Sequence, residues 1–415
     1  MYGAEFELNW FLNGISLAFS WLVIGVTHWL TGYYSDRINT RWGRRVPFIA
    51  VGTPAVAITG FLLFVPNWFI NTANPNMQLA LFGYYIVCLS LFKFSYAILM
   101  TAHQAWLPEI TDEVERPAVS GMMNTFSFLA NSAGAVLGFV LPLLFVDGPQ
   151  RHLSGLGLNF LFAFCLMTVA FNLPAIALIR ESTDIVKPKR SLRAETAIAL
   201  KNRNFMGWAL VVGLLTTSFV TITSQLIGFI QSVLLLTTIN EILTVALTNV
   251  GAIMIFLIVW VYVLRRIGKR NSLTIGVVAV VGVILLTPII QDIGYIFGFQ
   301  LIGILFFIPM GAGMAIYYLM NYIVPADIAQ VDTIQSGENR SGIFTGFIGV
   351  PLNIFQAAAS LFLGWLMDYS VTTTGDTLMG LMWWGPMFAP FLLIGIVILR
   401  FIDIDPDFES LPAAE

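Results

Sequence analysis

Eleven apolar runs, each long enough to cross a bilayer, dominate the sequence and leave room for little else. A hydrocarbon core about 30 Å thick needs roughly 20 apolar residues per helix. The runs lie at about 8–34, 46–66, 77–107, 118–146, 157–180, 205–236, 240–265, 271–289, 294–325, 340–366 and 382–402. Of the 415 residues, 58% are apolar and only 10% are charged, whereas a soluble domain carries about 25% charge. Such a chain cannot cover a water-facing surface. A soluble enzyme, a nucleic-acid binder, a disordered protein and a disulfide scaffold are excluded, and an all-α polytopic membrane protein is expected. Cys88 and Cys165 fall inside apolar runs, where a thiol acts as a small hydrophobe, so no disulfide, metal or cofactor framework is implied.

The basic residues set the topology. Loops 35–45, 108–117, 181–204, 266–270 and 326–339 and the C-terminal tail, with the helix-end residues Arg180, Arg265, Arg340 and Arg400, hold 18 of the 20 lysines and arginines. By the positive-inside rule these loops and the tail are cytoplasmic in a cell (plasma or inner) membrane. An odd number of spans puts the N-terminus outside. The longest basic stretch, 181–204, reads as a linker between an N-terminal bundle of five helices (1–180) and a C-terminal bundle of six (205–415).

The two halves repeat. GYYSDRINTRWGRRVPF follows the first run and LRRIGKRNSL follows its later counterpart; LPEITDEVERPAVSG is matched by VPADIAQVDTIQSGENRSG. Pro108 and Pro325 are 217 residues apart, and Gly43 and Gly268 are 225 apart. Two cassettes recurring in order at nearly one offset indicate a duplicated bundle. The run at 205–236 is left unmatched, so a further apolar helix upstream of Met1 is expected.

In the first turn cassette, Gly32 is expected to let two helices approach closely. Asp36 is expected to pair with Arg37, Arg41, Arg44 or Arg45 around Gly43, forming a charge latch that rearranges as bundles move. The plain alternative is a solvated positive-inside turn. Glu109, Arg116, Asp327 and Arg340 occupy the matching cytoplasmic ends and join the candidate gating set.

This cassette resembles the signature loop of the major facilitator superfamily. GYYSDRINTRWGRRVPFI is similar to the segment found in plant sucrose transporters and their animal relatives, within the glycoside-pentoside-hexuronide:cation symporter group. LPEITDEVER and PADI…GENRSG resemble the group's motifs at the ends of helices four and ten, and GIFTGFIGVPLNIFQ its eleventh helix. The resemblance implies two pseudo-symmetric bundles, with about eleven helices here (twelve minus the first), working by alternating access. It also implies a sugar or glycoside cargo moved with a cation. At the positions where melibiose-type members carry cation-binding carboxylates, alignment puts Ile24, His28 and Met100. Gln104 stands where sucrose carriers have an arginine.

Polar residues at helical spacing inside the runs are the candidate cargo contacts: Lys93, Tyr96 and Gln104; Asn124 and Asn131; Tyr318 and Asn321; Asn353 and Gln356. Intramembrane serines and threonines are read mainly as interhelical packing groups. His28, whose side chain titrates near neutrality, is the candidate proton carrier, and Lys93 is a candidate partner for an anionic cargo or for an acid of the helix expected upstream. No catalytic constellation and no phosphate-cradling loop is legible, so an enzyme is not expected. The expected partners are a small-molecule substrate, a coupling proton or cation and the lipid bilayer, with no nucleic acid, the chain acting as a monomer. A carrier of another organic solute, or a non-transporting sensor or truncated product, is the alternative.

Overall fold

The computed structural model describes residues 8–110 apart from 36, 39, 72 and 73; residues 126, 130, 146–147, 152–178 and 192–336; and residues 344–406 apart from 345 and 346. The chain divides into two compact units, Met1–Arg190 and Ser191–Glu415. Among the described residues nine helical stretches are long and apolar enough to span a membrane, and one of them, Ile239–Phe297, holds two of the expected runs. Of the run at 118–146 only residues 126, 130 and 146 are described.

The first unit contains α1 (Trp10–Ser35), α2 (Val46–Leu63), α3 (Gln78–Ile110) and α4 (Gly155–Leu178), with a two-residue antiparallel pair, β1 (Val146–Asp147) and β2 (His152–Leu153), before α4. Asn9 begins α1 by accepting from the N–H groups of Phe11 and Leu12 at 2.9 and 3.1 Å, and α2 opens on a proline, which lacks the N–H that a first turn cannot use. Helix α3 packs on both α1 and α2, and α4 packs on α2. A Cβ at Gly52 would lie 3.2 Å from the Leu99 backbone nitrogen, so this glycine sets the α2–α3 approach, whereas the nearest atom among the described residues to one at Gly32 is 3.8 Å away. Among the described residues the close contact expected of Gly32 is made by Gly52. A sequence shows a glycine but not the depth of the neighbour facing it.

The second unit contains α5 (Leu192–Lys201), α6 (Arg203–Gly228), α7 (Ile239–Ile284), α8 (Ile290–Phe297), α9 (Phe299–Ser336), α10 (Gly349–Thr374) and α11 (Leu378–Leu399). Asn202 caps α6 through Phe205 N–H at 2.9 Å. Thr238 and Glu241 form a reciprocal capping box at the start of α7. Helix α7 breaks at Gly268, whose φ is +79°, so its two halves are the separate spans read from the sequence. Helices α7 and α9 pack closely because Gly276, Gly311 and Gly313 leave no room for a Cβ, one at Gly311 lying 2.7 Å from the Ala252 Cβ and 3.0 Å from the Asn249 carbonyl oxygen. Helix α6 packs against α9, α10 and α11, with Trp208, Phe205, Phe307, Trp384 and Phe388 in a fully buried core.

Two helix ends differ from expectation. Helix α10 runs to Thr374 rather than 366 because Leu366, Met367 and Ser370 are buried and the chain turns only at Gly375, φ +86°. Helix α9 continues past 325 to Ser336: loss of hydropathy marks where a span leaves the membrane, not where its helix stops.

Candidate functional site

Two polar pairs join α1 to α3. His28 Nδ1 lies 2.7 Å from Thr101 Oγ1, and Thr101 Oγ1 itself donates to the Ala97 carbonyl at 2.7 Å. The hydroxyl has one proton, which can go to the Ala97 carbonyl or to Nδ1; with it on the carbonyl, Nδ1 is the donor and the lone pair of the neutral ring sits on Nε2. Two turns before His28 on the same face, Trp21 presents its ring to Lys93 of α3. The Lys93 ammonium nitrogen lies 4.0 Å from the centroid of the Trp21 ring. The ammonium is turned onto an aromatic face, an attraction worth about 0.5–2 kcal/mol, rather than toward a membrane surface. Trp21 and His28 are seven residues apart, about 10 Å along a helix.

Tyr96, on α3, stacks on Phe92 with centroids 6.3 Å apart. His103 Nε2 meets Asn172 Oδ1 at 2.7 Å, tying α3 to α4. Gln104 and Glu109 fall on α3 with only their backbone described, and Asp36, Arg116, Asn124, Asn131 and Arg340 lie outside the described residues.

In the first turn, Gly43 has φ +101°, and its carbonyl accepts from Thr40 Oγ1 at 2.7 Å. Arg37 donates to the Tyr33 carbonyl at 3.0 Å and lies 3.5 Å over the Tyr33 ring. Arg45, 4% exposed, donates to Ser35 Oγ. Arg44 is half-buried and Arg41 exposed. In the second unit the two later cassettes meet: Lys269 Nζ lies 2.9 Å from the Asp327 carboxylate. Beside them a cleft of about 410 Å³ is lined by residues including Asn202, Arg203, Asp327, Gln335 and Asp403.

Tyr318 and Asn321 are half-buried on α9, and the Tyr318 ring lies 5.5 Å from that of Tyr317. Buried Asn353 donates from its amide to the Gly349 carbonyl at 2.6 Å, and Gln356 is half-buried one turn on. Many intramembrane hydroxyls bond within their own helix: Thr217 to Gly213, Thr221 to Thr217 and Ser224 to Thr221. The packing role expected of them belongs instead to Thr216, which meets the Tyr317 hydroxyl at 2.5 Å, and to Ser218 and Thr287, which donate across to Phe388 and Met382 carbonyls. Back-bonding to i−4 satisfies a hydroxyl without any neighbour. Among the described residues no group of three or more His, Cys, Asp and Glu is placed to hold a metal.

Sequence reasoning missed Trp21 and Asp405. Trp21 sits seven residues before His28, a spacing that marks a shared face. Asp405 accepts from the backbone N–H groups of Lys269 and Arg270. Its signal is the lack of any acid between Glu241 and Asp292.

Comparison with known proteins places this geometry in context. Residues 2–378 match the family described as MFS/sugar transport protein. A curated relative, the uncharacterized symporter sll1374 of Synechocystis sp., is 28% identical over 169 residues, a match spanning 37% of this chain and 30% of the relative's length. The fold matches the crystal structure of the nucleoside transporter NupG with a TM-score of 0.62 at 13% identity, over 96% of this chain and 94% of that one. It also matches a D-xylose-proton symporter with a TM-score of 0.63 at 13% identity, over 97% and 89% of the two chains. With a membrane-spanning all-α fold and a family match across nearly its whole length, the chain belongs to the MFS/sugar transport protein family.

Proposed function

We propose that the protein moves a sugar or glycoside across a cell (plasma or inner) membrane by alternating access, coupled to protons, with its C-terminus in the cytoplasm and residues 181–204 as the linker between its two bundles. The observation that carries the coupling is the His28–Thr101 pair. With the Thr101 proton on the Ala97 carbonyl, Nδ1 donates to Thr101 in both the neutral and the charged ring, so a proton can enter and leave at Nε2 without breaking the bond that positions the imidazole. A symporter among its relatives and a proton symporter with the same fold support the reading. Lys93, Tyr96, Gln104, Asn124, Asn131, Tyr318, Asn321, Asn353 and Gln356 are the proposed cargo contacts, with the turn residues as gates.

The test is uptake of a panel of radiolabelled pentoses, hexoses and glycosides into proteoliposomes with and without an inward pH gradient. Accumulation that follows the gradient supports the reading; strict sodium dependence with no response to pH overturns the coupling. A second reading, an anionic organic solute, is favoured by Lys93, whose ammonium rests on the Trp21 ring. Competition of sugar acids against neutral sugars in the same assay separates the two.

A further inference from the structure

The second turn cassette holds four basic residues, Arg265, Arg266, Lys269 and Arg270, and no acid lies between Glu241 and Asp292. The first cassette carries Asp36 seven residues before its glycine; the matching position before Gly268 is Val261. The positive φ of Gly268 also leaves the helix that restarts behind it with backbone N–H groups that find no carbonyl in the preceding turn.

We propose that residues 401–406 are a permanent strap that supplies the acid missing from this turn and holds the break at Gly268 closed. One oxygen of Asp405 accepts from Lys269 N–H at 2.9 Å and the other from Arg270 N–H at 3.1 Å. This is the work of an N-terminal cap, done by a residue more than 130 positions away, and the carboxylate is also favoured by the positive end of the helix dipole. Arg270 reaches back from its guanidinium to the Ile402 carbonyl at 2.8 Å. Asp403 N–H donates to Asn204 Oδ1 at 3.3 Å, which fastens the strap to the start of α6. Lys269, beside the capped amide, holds Asp327 of α9. The segment thus joins the start of α6 to the second half of α7, and Lys269 carries the tie on to α9.

Its apolar residues make it a brace rather than a solvated tail. Ile402 and Ile404 are 4% and 1% exposed. Ile402 seats in the gap left by Gly207, where a Cβ would lie 2.1 Å from the isoleucine Cγ2. A segment keyed in by two buried isoleucines and a doubly bonded carboxylate stays in place while a transporter cycles, so this end of the second unit moves as one piece.

Hydrogen–deuterium exchange on the full-length protein in lipid nanodiscs tests the strap. In Asp405→Ala the Lys269 and Arg270 amides are expected to exchange at least tenfold faster than in the parent, with the interior of α11 unchanged. Ile404→Ser, which keeps the carboxylate but unseats the segment, should speed the same two amides. If Asp405→Ala yields no folded protein, Asp405→Asn, which retains one acceptor oxygen without the charge, carries the same comparison. Equal exchange of these amides in parent and Asp405 variants, or full protection in Ile404→Ser, overturns the proposal.

Discussion

The Thr101 hydroxyl is hydrogen-bonded to the His28 ring, and the pair is separable by mutation. His28→Ala is expected to abolish gradient-driven accumulation in proteoliposomes while leaving expression intact. Thr101→Val keeps the imidazole but strips its hydrogen-bond partner. An unsatisfied buried polar group costs about 1–3 kcal/mol, so accumulation should fall roughly tenfold without vanishing; a Thr101→Val protein that accumulates normally would show that the bond does not position the ring. Lys93 makes a second prediction at this scale. A charged lysine at the bilayer centre costs roughly 2.5–3.5 kcal/mol, and the Trp21 face offsets only part of it. Lys93→Ala should therefore weaken cargo binding, measured by competition in the uptake assay, far more than it lowers the melting temperature. Lys93→Arg should restore binding only in part, because a planar guanidinium directs its hydrogen bonds differently.

Helix pairs in a bilayer are held by shape more than by solvent exclusion, and the glycines show where shape is tightest. A Cβ at Gly385 would lie 2.0 Å from the Ile284 carbonyl oxygen, an atom of the backbone that cannot swing aside, whereas one at Gly32 would meet only ordinary contacts. Gly385→Ala is expected to destroy the folded protein or lower its melting temperature by many degrees, and Gly32→Ala to melt within a degree or two of the parent, both read by thermal unfolding in detergent. The starts of α1 and α2 were legible within two residues, because a bilayer demands long apolar runs and proline or asparagine marks their beginnings. The pairing of Trp21 with Lys93, and of Asp405 with the Gly268 turn, was not: neither local spacing nor hydropathy relates residues 72 or 136 positions apart. His28 could be singled out as a titratable group in an apolar run; its bond to Thr101 on another helix was not legible.

At the scale of the whole molecule, the duplication inferred from two cassettes makes a charge pair predictable in the later half, where Lys269 meets Asp327 at 2.9 Å. Both side chains are partly exposed, so a double-mutant cycle on thermal stability should return a coupling of about 0.5–1 kcal/mol. The exchange Lys269→Asp with Asp327→Lys should recover part of what either single change loses; strict additivity would mean that the pair contributes nothing. The turns themselves hold a deeper record. Gly43 and Gly268 occupy matching places and both take the backbone through positive φ, +101° and +79°, yet the residues around them have drifted until one turn carries its own acid and the other is closed from the far end of the chain. What outlasted the copying is a handed bend, a quantity that substitution tables do not score. An alignment of torsion angles, rather than of letters, would find the ancestor of both halves where their sequences have become almost mute.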